Sequence, residues 1–361
     1  YGLQRTAAVL RRGGVHGLFK SFVGGVLSAA RALPGVSTAL EGVEAGALQA
    51  LMDELVPVDA TALTVLPPAP LQAQHIVRQL TDAIDQEMAE SGFTEGKSFA
   101  GIYHHPTGEL TRCQADIASA FINTNALYPG VFKSCRKMEA ETVSIIISLL
   151  KGRGIVTSHT ACAQGADPAP HACGLMTTGG TESVLLAMLA YRDAFLERAP
   201  ATPRHLLNVI CSTTAHPALD KACHYFGLRL FKLQPDAATQ TLSPAAVADA
   251  IDAYTLAVYA SAPSFPHGVV DPIPELAALA QRRGIGCHVD NCLGGVLLSF
   301  AAAEQAACGF TQEEGVVRIP AFDFRVPGVT TISCDMHKYG FAPKGASIIA
   351  FRDPALRRAV Y

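Results

Sequence analysis

The chain has 361 residues, is 49% hydrophobic and carries a formal net charge of −3. That length supports a large core and one to three domains, and the near-neutral charge gives no electrostatic footing for nucleic acid. The ten cysteines are scattered, with no CxxC or Cys/His spacing, which predicts reduced thiols and neither a disulfide framework nor a metal site.

Residues 1–65 predict a basic, helical N-terminal arm. Arg5, Arg11, Arg12, Lys20 and Arg31 all precede the first acidic residue, Glu41, and surround Phe19, Phe22, Val23, Val26 and Leu27. Such a segment suits a membrane surface, the cytosolic flank of a preceding membrane helix, a transit peptide or an ordinary solvated helix. No apolar run here reaches the roughly 18 residues of a membrane span, so an anchor is expected only upstream of Tyr1. A linker and helix follow over 66–100, opened by Leu66-Pro67-Pro68-Ala69-Pro70. The main domain is expected over 101–361, with a surface insertion from Lys151 to Pro170.

From about Cys173, short apolar runs alternate with helical patterns. Strands are predicted over Gly174–Thr177, Leu206–Cys211, Leu228–Leu233, Leu256–Ala260, Ile285–Asp290, Val329–Cys334 and Ser347–Phe351. Ser243-Pro244 opens one helix, continued by Val247, Ile251 and Tyr254 at helical spacing. Pro274 to Arg283 forms another, with Gly284 to stop it. The interleaving predicts an α/β fold with a mostly parallel seven-stranded sheet flanked by helices, whose ligands bind beyond the carboxyl ends of the strands.

Four features fall at those ends. Thr177-Thr178-Gly179-Gly180-Thr181-Glu182-Ser183 joins a strand to a helix; its glycines, the helix N-terminus and the Thr181 hydroxyl suit a phosphate, and a capped tight turn is the plainer reading. His216 follows the next strand, placed either to stack on a planar ring or merely to begin a helix. Asp290 ends another, either to hold a protonated heterocycle nitrogen or to cap a helix. Lys338, in Asp335-Met336-His337-Lys338-Tyr339-Gly340, follows a buried strand; burial is expected to lower its pKa and favour the neutral amine of a Schiff-base lysine, whereas most lysines there are simply solvated. Taken jointly, phosphate turn, ring-facing histidine, carboxylate and lysine require pyridoxal 5'-phosphate.

These motifs resemble the sphingosine-1-phosphate lyase family of the group II pyridoxal-phosphate decarboxylase superfamily. The resemblance runs from about Tyr103 to the C-terminus through TTGGTES (Thr177 to Ser183), AHPALDKA (Ala215 to Ala222), SAPSFPHGVVDPI (Ser261 to Ile273), HVDNCLGG (His288 to Gly295), FDFRVPGVTTIS (Phe322 to Ser333) and DMHKYGFAPKG (Asp335 to Gly345). It implies the fold type I pyridoxal-phosphate architecture over 101–361, and a homodimer with shared active sites. The implied reaction is retro-aldol cleavage of a sphingoid-base phosphate to a fatty aldehyde and phosphoethanolamine. Gly179, Gly180, Thr181, His216, Asp290 and Lys338 are then the cofactor-binding residues; Lys338, His337, Asp290 and His216 carry catalysis. Tyr103, Asn125, Tyr128 and Lys344 fall at substrate-binding positions, although Tyr128 replaces the family's histidine and brings no charge. Asn291 replaces an alanine beside Asp290, and Met336 and Phe341 are milder changes. Resemblance also implies an endoplasmic reticulum membrane location with a cytosol-facing catalytic domain, or else the cytoplasm. Family members continue into a small C-terminal domain, whereas this chain stops 23 residues after Lys338 (361 − 338). The expectation is therefore a fragment or a truncated homologue, with an amino-acid decarboxylase or an inactive binding subunit as alternatives.

Overall fold

The computed structural model describes residues 42–43, 45–51, 72–97, 103, 108–152, 172–307 and 319–360. The basic arm from Arg5 to Arg31, the Leu66–Pro70 linker and most of the Lys151–Pro170 insertion lie outside the described residues. Contacts divide the chain into two units, Tyr1–Glu87 and Met88–Tyr361. Helix α1 (Ala73–Glu90) has no buried residue.

In the larger unit, α2 (Glu109–Phe121) and α3 (Lys133–Leu149) precede β1 (Cys173–Thr177) and α4 (Gly180–Arg198). Then follow β2 (Asn208–Ser212), α5 (Ala218–Phe226), β3 (Arg229–Leu233), α6 (Pro244–Ala250), β4 (Thr255–Ser261) and α7 (Ile273–Arg283). The series closes with β5 (Gly286–Asp290), α8 (Gly295–Ala307), β6 (Thr331–Asp335), β7 (Ser347–Phe351) and α9 (Pro354–Arg358). All seven predicted strands form, and they make one sheet in the order β1-β7-β6-β5-β4-β2-β3. Strand β7 runs antiparallel to both its neighbours; the other pairings are parallel.

Strands β2, β4, β6 and β7 are buried along their whole length, as expected of a sheet covered on both faces. The strand period of two divides the core accordingly. Val258, Val289, Ile332 and Ile348 point toward Ile147, Val247 and Leu276 of α3, α6 and α7. Ala257, Tyr259 and Ile349 point toward Val184, Met188, Tyr191 and Leu219 of α4 and α5.

Two helices test the sequence signals. Helix α7 stops where expected: Gly284 takes φ +66° and its N–H reaches the carbonyls of Ala280 and Gln281. Helix α6 begins as expected, with Ser243 Oγ accepting from Ala246 N–H. It ends at Ala250, however, so Ile251 and Tyr254 are not helical. Asp252 Oδ1 accepts from Tyr254 N–H at 2.9 Å and Thr255 Oγ1 accepts from Asp252 N–H at 3.0 Å, a local turn that competes with the helix. The sheet sets the carboxyl ends of β1, β2, β5 and β6 along one edge, with Asp290 beside Ser333 in register.

Candidate active site

The turn after β1 is held by its own side chains. Thr178 donates to Glu182 Oε2 from both its N–H (2.6 Å) and its hydroxyl (2.7 Å). Behind it the hydroxyls of Thr177, Ser183 and Ser347 are bonded at 2.7 and 2.9 Å. Helix α4 therefore starts abruptly at Gly180, and its first-turn amides have no intrahelical acceptor. A Cβ on Gly180 would lie 2.8 Å from both Asp335 Oδ2 and Cys292 Sγ, so only glycine lets this turn approach β6.

A cavity of about 320 Å³ opens over that turn. Gly179, Gly180, Thr181, His216, Asp290, His337 and Lys338 all line it, so every residue expected to bind the cofactor or carry catalysis is brought together. A larger cavity of about 630 Å³ lies at the opposite, amino-terminal edge of the strands, beside Tyr191, Gly286 and Thr330. It contains none of these groups, and chemistry favours the smaller one.

Asp290 closes β5 and is a prepared acceptor. Tyr259 Oη donates to Oδ2 at 2.5 Å; Cys292 N–H and Ser333 Oγ donate to Oδ1 at 3.1 and 3.3 Å. Burial alone would raise the carboxyl, but the Tyr259 hydroxyl, the nearby His288 ring and Cys292 hold it below its ordinary value, as an anion. Burial and the facing carboxylate push Tyr259 and Cys292 well up, so both stay neutral. His216 accepts from Ala218 N–H on Nδ1 at 3.1 Å, and its ring makes a T-shaped contact with Phe265 at 5.3 Å between centroids.

Lys338 overturns one expectation. Its ammonium lies 3.0 Å from Asp335 Oδ2, a carboxylate almost wholly buried. Burial is the largest single influence and works to lower the lysine's pKa, but the surrounding negative groups, Asp335 first and Asp290 with it, together outweigh it and the net direction is upward. His337 shares this carboxylate, its Nε2 3.5 Å from Asp335 Oδ2, while its Nδ1 accepts from Ala346 N–H. Asp335 Oδ1 is buried without a hydrogen-bond partner.

The expected substrate-binding residues separate into two places. Lys344 Nζ sits 4.8 Å over the ring of Tyr103, whose edge meets Tyr339 at 5.1 Å. Burial raises the Tyr103 hydroxyl, with Lys338 opposing it. Asn125 and Tyr128 instead lie on the exposed loop between α2 and α3, where Asn125 Oδ1 accepts from Leu127 N–H at 2.9 Å. None of the four lines the cavity.

Sequence reasoning missed Asp335, Tyr259, Cys292 and Ser333. For Asp335 a signal existed, since a carboxylate three residues before a lysine in a turn reaches it; Tyr259 read as one more apolar strand residue.

The residues fit pyridoxal phosphate. Amides at a helix N-terminus, next to a glycine whose Cβ would press on Asp335 and Cys292, match a phosphate. An ionised acceptor-only carboxylate matches a protonated ring nitrogen. The cavity volume falls in the roughly 300–1,000 Å³ range of small-molecule sites.

Comparison with known proteins points the same way. Residues 94–359 match the model of the pyridoxal-dependent decarboxylase conserved domain. The chain is 38% identical over 272 residues to a sphingosine-1-phosphate lyase of Dictyostelium discoideum, covering 75% of this chain and 45% of that protein. It is 37% identical over 303 residues to sphingosine-1-phosphate lyase 1 of Rattus norvegicus, covering 83% and 47%. The chain thus spans about half the length of these curated relatives. Among solved structures, a sphingosine-1-phosphate lyase of Burkholderia pseudomallei superposes with a TM-score of 0.71 at 33% identity, covering 83% of this chain and 63% of that one. A glutamate decarboxylase of Lactobacillus brevis, at a TM-score of 0.64 and 21% identity, shares the fold.

Proposed function

The chain belongs to the pyridoxal-dependent decarboxylase family, and from that premise we propose that it acts as a carbon–carbon lyase on sphingoid-base phosphates, releasing a fatty aldehyde and phosphoethanolamine. The observation that carries this reading is the single cavity holding the phosphate turn, His216, Asp290 and Lys338. Identity of 33–38% to sphingosine-1-phosphate lyases supports this choice of reaction within the family.

Pyridoxal phosphate, when bound, draws electrons from the amine-bearing carbon and so makes cleavage of the adjacent C2–C3 bond accessible. The amides of Gly180 and Thr181 would bind its phosphate, His216 would face its ring, and Asp290 would hold the proton of its ring nitrogen. Lys338 and His337, both beside Asp335, are placed to hold or move the proton of the substrate's C3 hydroxyl. Positioned proton transfer of this kind contributes about 10²–10⁴-fold. Lys344, over Tyr103, offers a cation for the substrate phosphate; Asn125 and Tyr128 would join it only from an exposed loop.

A homodimer with shared sites belongs to the same proposal. Ile117, Ile122, Leu127, Val131 and Ile145 are exposed on α2, α3 and the loop between them, an apolar surface a second copy would cover. Membrane association at the endoplasmic reticulum rests on the basic arm and the resemblance; among the described residues, no helix is long and apolar enough to cross a membrane.

The test is direct. Purified protein with pyridoxal phosphate should show the absorbance band of the bound cofactor, and Lys338→Ala should abolish it. Sphingosine 1-phosphate should then yield a fatty aldehyde. A band without aldehyde sinks the lyase assignment and leaves a cofactor-binding protein.

A further inference from the structure

Asp290 is the end of a longer structure. Strands β5 and β6 run parallel with His288 beside Thr331 and Asp290 beside Ser333. Because side chains alternate along a strand, these four polar groups share one face, the face that α4 covers with Tyr191. Ser333 Oγ lies 3.3 Å from Asp290 Oδ1 and 3.3 Å from His288 Nε2. His288 Nδ1 lies 2.8 Å from Thr331 Oγ1, which lies 2.6 Å from Tyr191 Oη; that hydroxyl also lies 2.6 Å from Thr330 Oγ1. Tyr191 in turn lines the cavity at the amino-terminal edge of the sheet, on the far side from the site.

We infer that Tyr191, Thr331, His288 and Ser333 form one polarised hydrogen-bond chain whose donors all point at Asp290, and that these four are positioning residues for the cofactor's ring nitrogen. The directions follow from counting protons. An ionised carboxylate only accepts, so the single proton of Ser333 is committed to Asp290. Ser333 must then accept from His288, which places the imidazole proton on Nε2 and leaves Nδ1 to accept from Thr331. With its proton committed, Thr331 can only accept from Tyr191, whose single proton it shares with Thr330 Oγ1, also 2.6 Å away and itself committed to the Cys287 carbonyl. Burial holds His288 neutral, its pKa pushed down to about 4, as this arrangement requires. Tyr259 braces the chain from β4, its ring 5.0 Å from that of His288. The Cys292 thiol also faces Ser333, but burial keeps it protonated and it brings no charge. Linked hydrogen bonds strengthen one another in a low-dielectric interior, so the far end of the chain bears on Asp290 without touching the ligand.

The inference rests on the cofactor reading of the site, and two measurements separate them. Nitrogen-15 NMR of the histidine-labelled protein should show His288 as the neutral Nε2–H tautomer, with or without cofactor. With ¹⁵N-labelled pyridoxal phosphate bound, Ser333→Ala and Tyr191→Phe should both lower the pH at which the ring nitrogen loses its proton. Ser333→Ala should also weaken cofactor affinity about tenfold, the scale of one hydrogen bond to a charged group, and Tyr191→Phe by a smaller factor of the same sign. A structural role alone would lower the melting temperature and leave the ring-nitrogen titration in place. An Nδ1–H tautomer, or a wild-type titration in both folded variants, overturns the chain. If wild-type protein takes up no cofactor, the site reading fails, and the His288 tautomer still decides the chain; it decides too if neither variant folds.

Discussion

Lys338 and Asp335 show how one pair of charges sets the chemistry of a site. The lysine must lose a proton before its amine reacts with an aldehyde, and the buried carboxylate 3.0 Å away resists that loss. Because the folded-state pKa is raised, the stabilisation from this pair is present below the ordinary lysine value of about 10.4 and is lost as pH rises through the folded value. Uptake of pyridoxal phosphate should therefore accelerate with rising pH well past neutrality. Asp335→Asn, which keeps the shape and removes the charge, should raise the uptake rate at neutral pH several-fold and shift its pH profile downward. Stopped-flow absorbance checks this; an unchanged profile would show that Asp335 does not govern the lysine.

At the scale of elements, the strand–turn–helix from β1 into α4 is the tightest joint of the site. Gly180→Ala places a methyl against Asp335 and Cys292, and overpacking of this kind costs about 1–3 kcal/mol. Its signature should be specific: the melting temperature falls modestly, while affinity for pyridoxal phosphate falls at least about tenfold, because the displaced amides belong to the phosphate cradle. Isothermal titration and a thermal melt, run side by side, read both. The glycines of this joint were legible from sequence in TTGGTES, whereas the bonds that fasten it, Thr178 to Glu182, were not. The strands were legible too, because apolar runs between turn residues mark a sheet covered on both faces. What stayed hidden is whatever the strand register creates. Tyr259 stands 31 positions before Asp290 (290 − 259) and bonds it only because β4 pairs with β5. The end of α6 was hidden for a local reason: Ile251 and Tyr254 keep helical spacing, while Asp252 and Thr255 turn the backbone aside.

On the scale of the whole molecule, the exposed apolar residues of α2, α3 and their loop make the proposed dimer testable. Light scattering should give twice the chain mass of 37.9 kDa, and Ile117→Glu with Val131→Glu should return it to a single chain. Both side chains are exposed in one copy, so the substitutions should cost little there, typically within about 0.5 kcal/mol; a mass unaffected by them sinks the interface. The reversed strand β7 has a further consequence, one of timing. Antiparallel to β6, it makes a hairpin whose connection contains both Lys338 and Lys344, and every contact in that hairpin is local. Its other partner, β1, is remote: Thr177 pairs with Ser347, 170 positions later (347 − 177). Local pairings form ahead of remote ones because less loop entropy is lost in closing them. The lysine-bearing hairpin should therefore assemble early during refolding and wait for β1, which brings the phosphate turn with it. Pulse-labelling hydrogen exchange should find the β6 and β7 amides protected before those of β1, so that competence to take up cofactor arrives with the last strand.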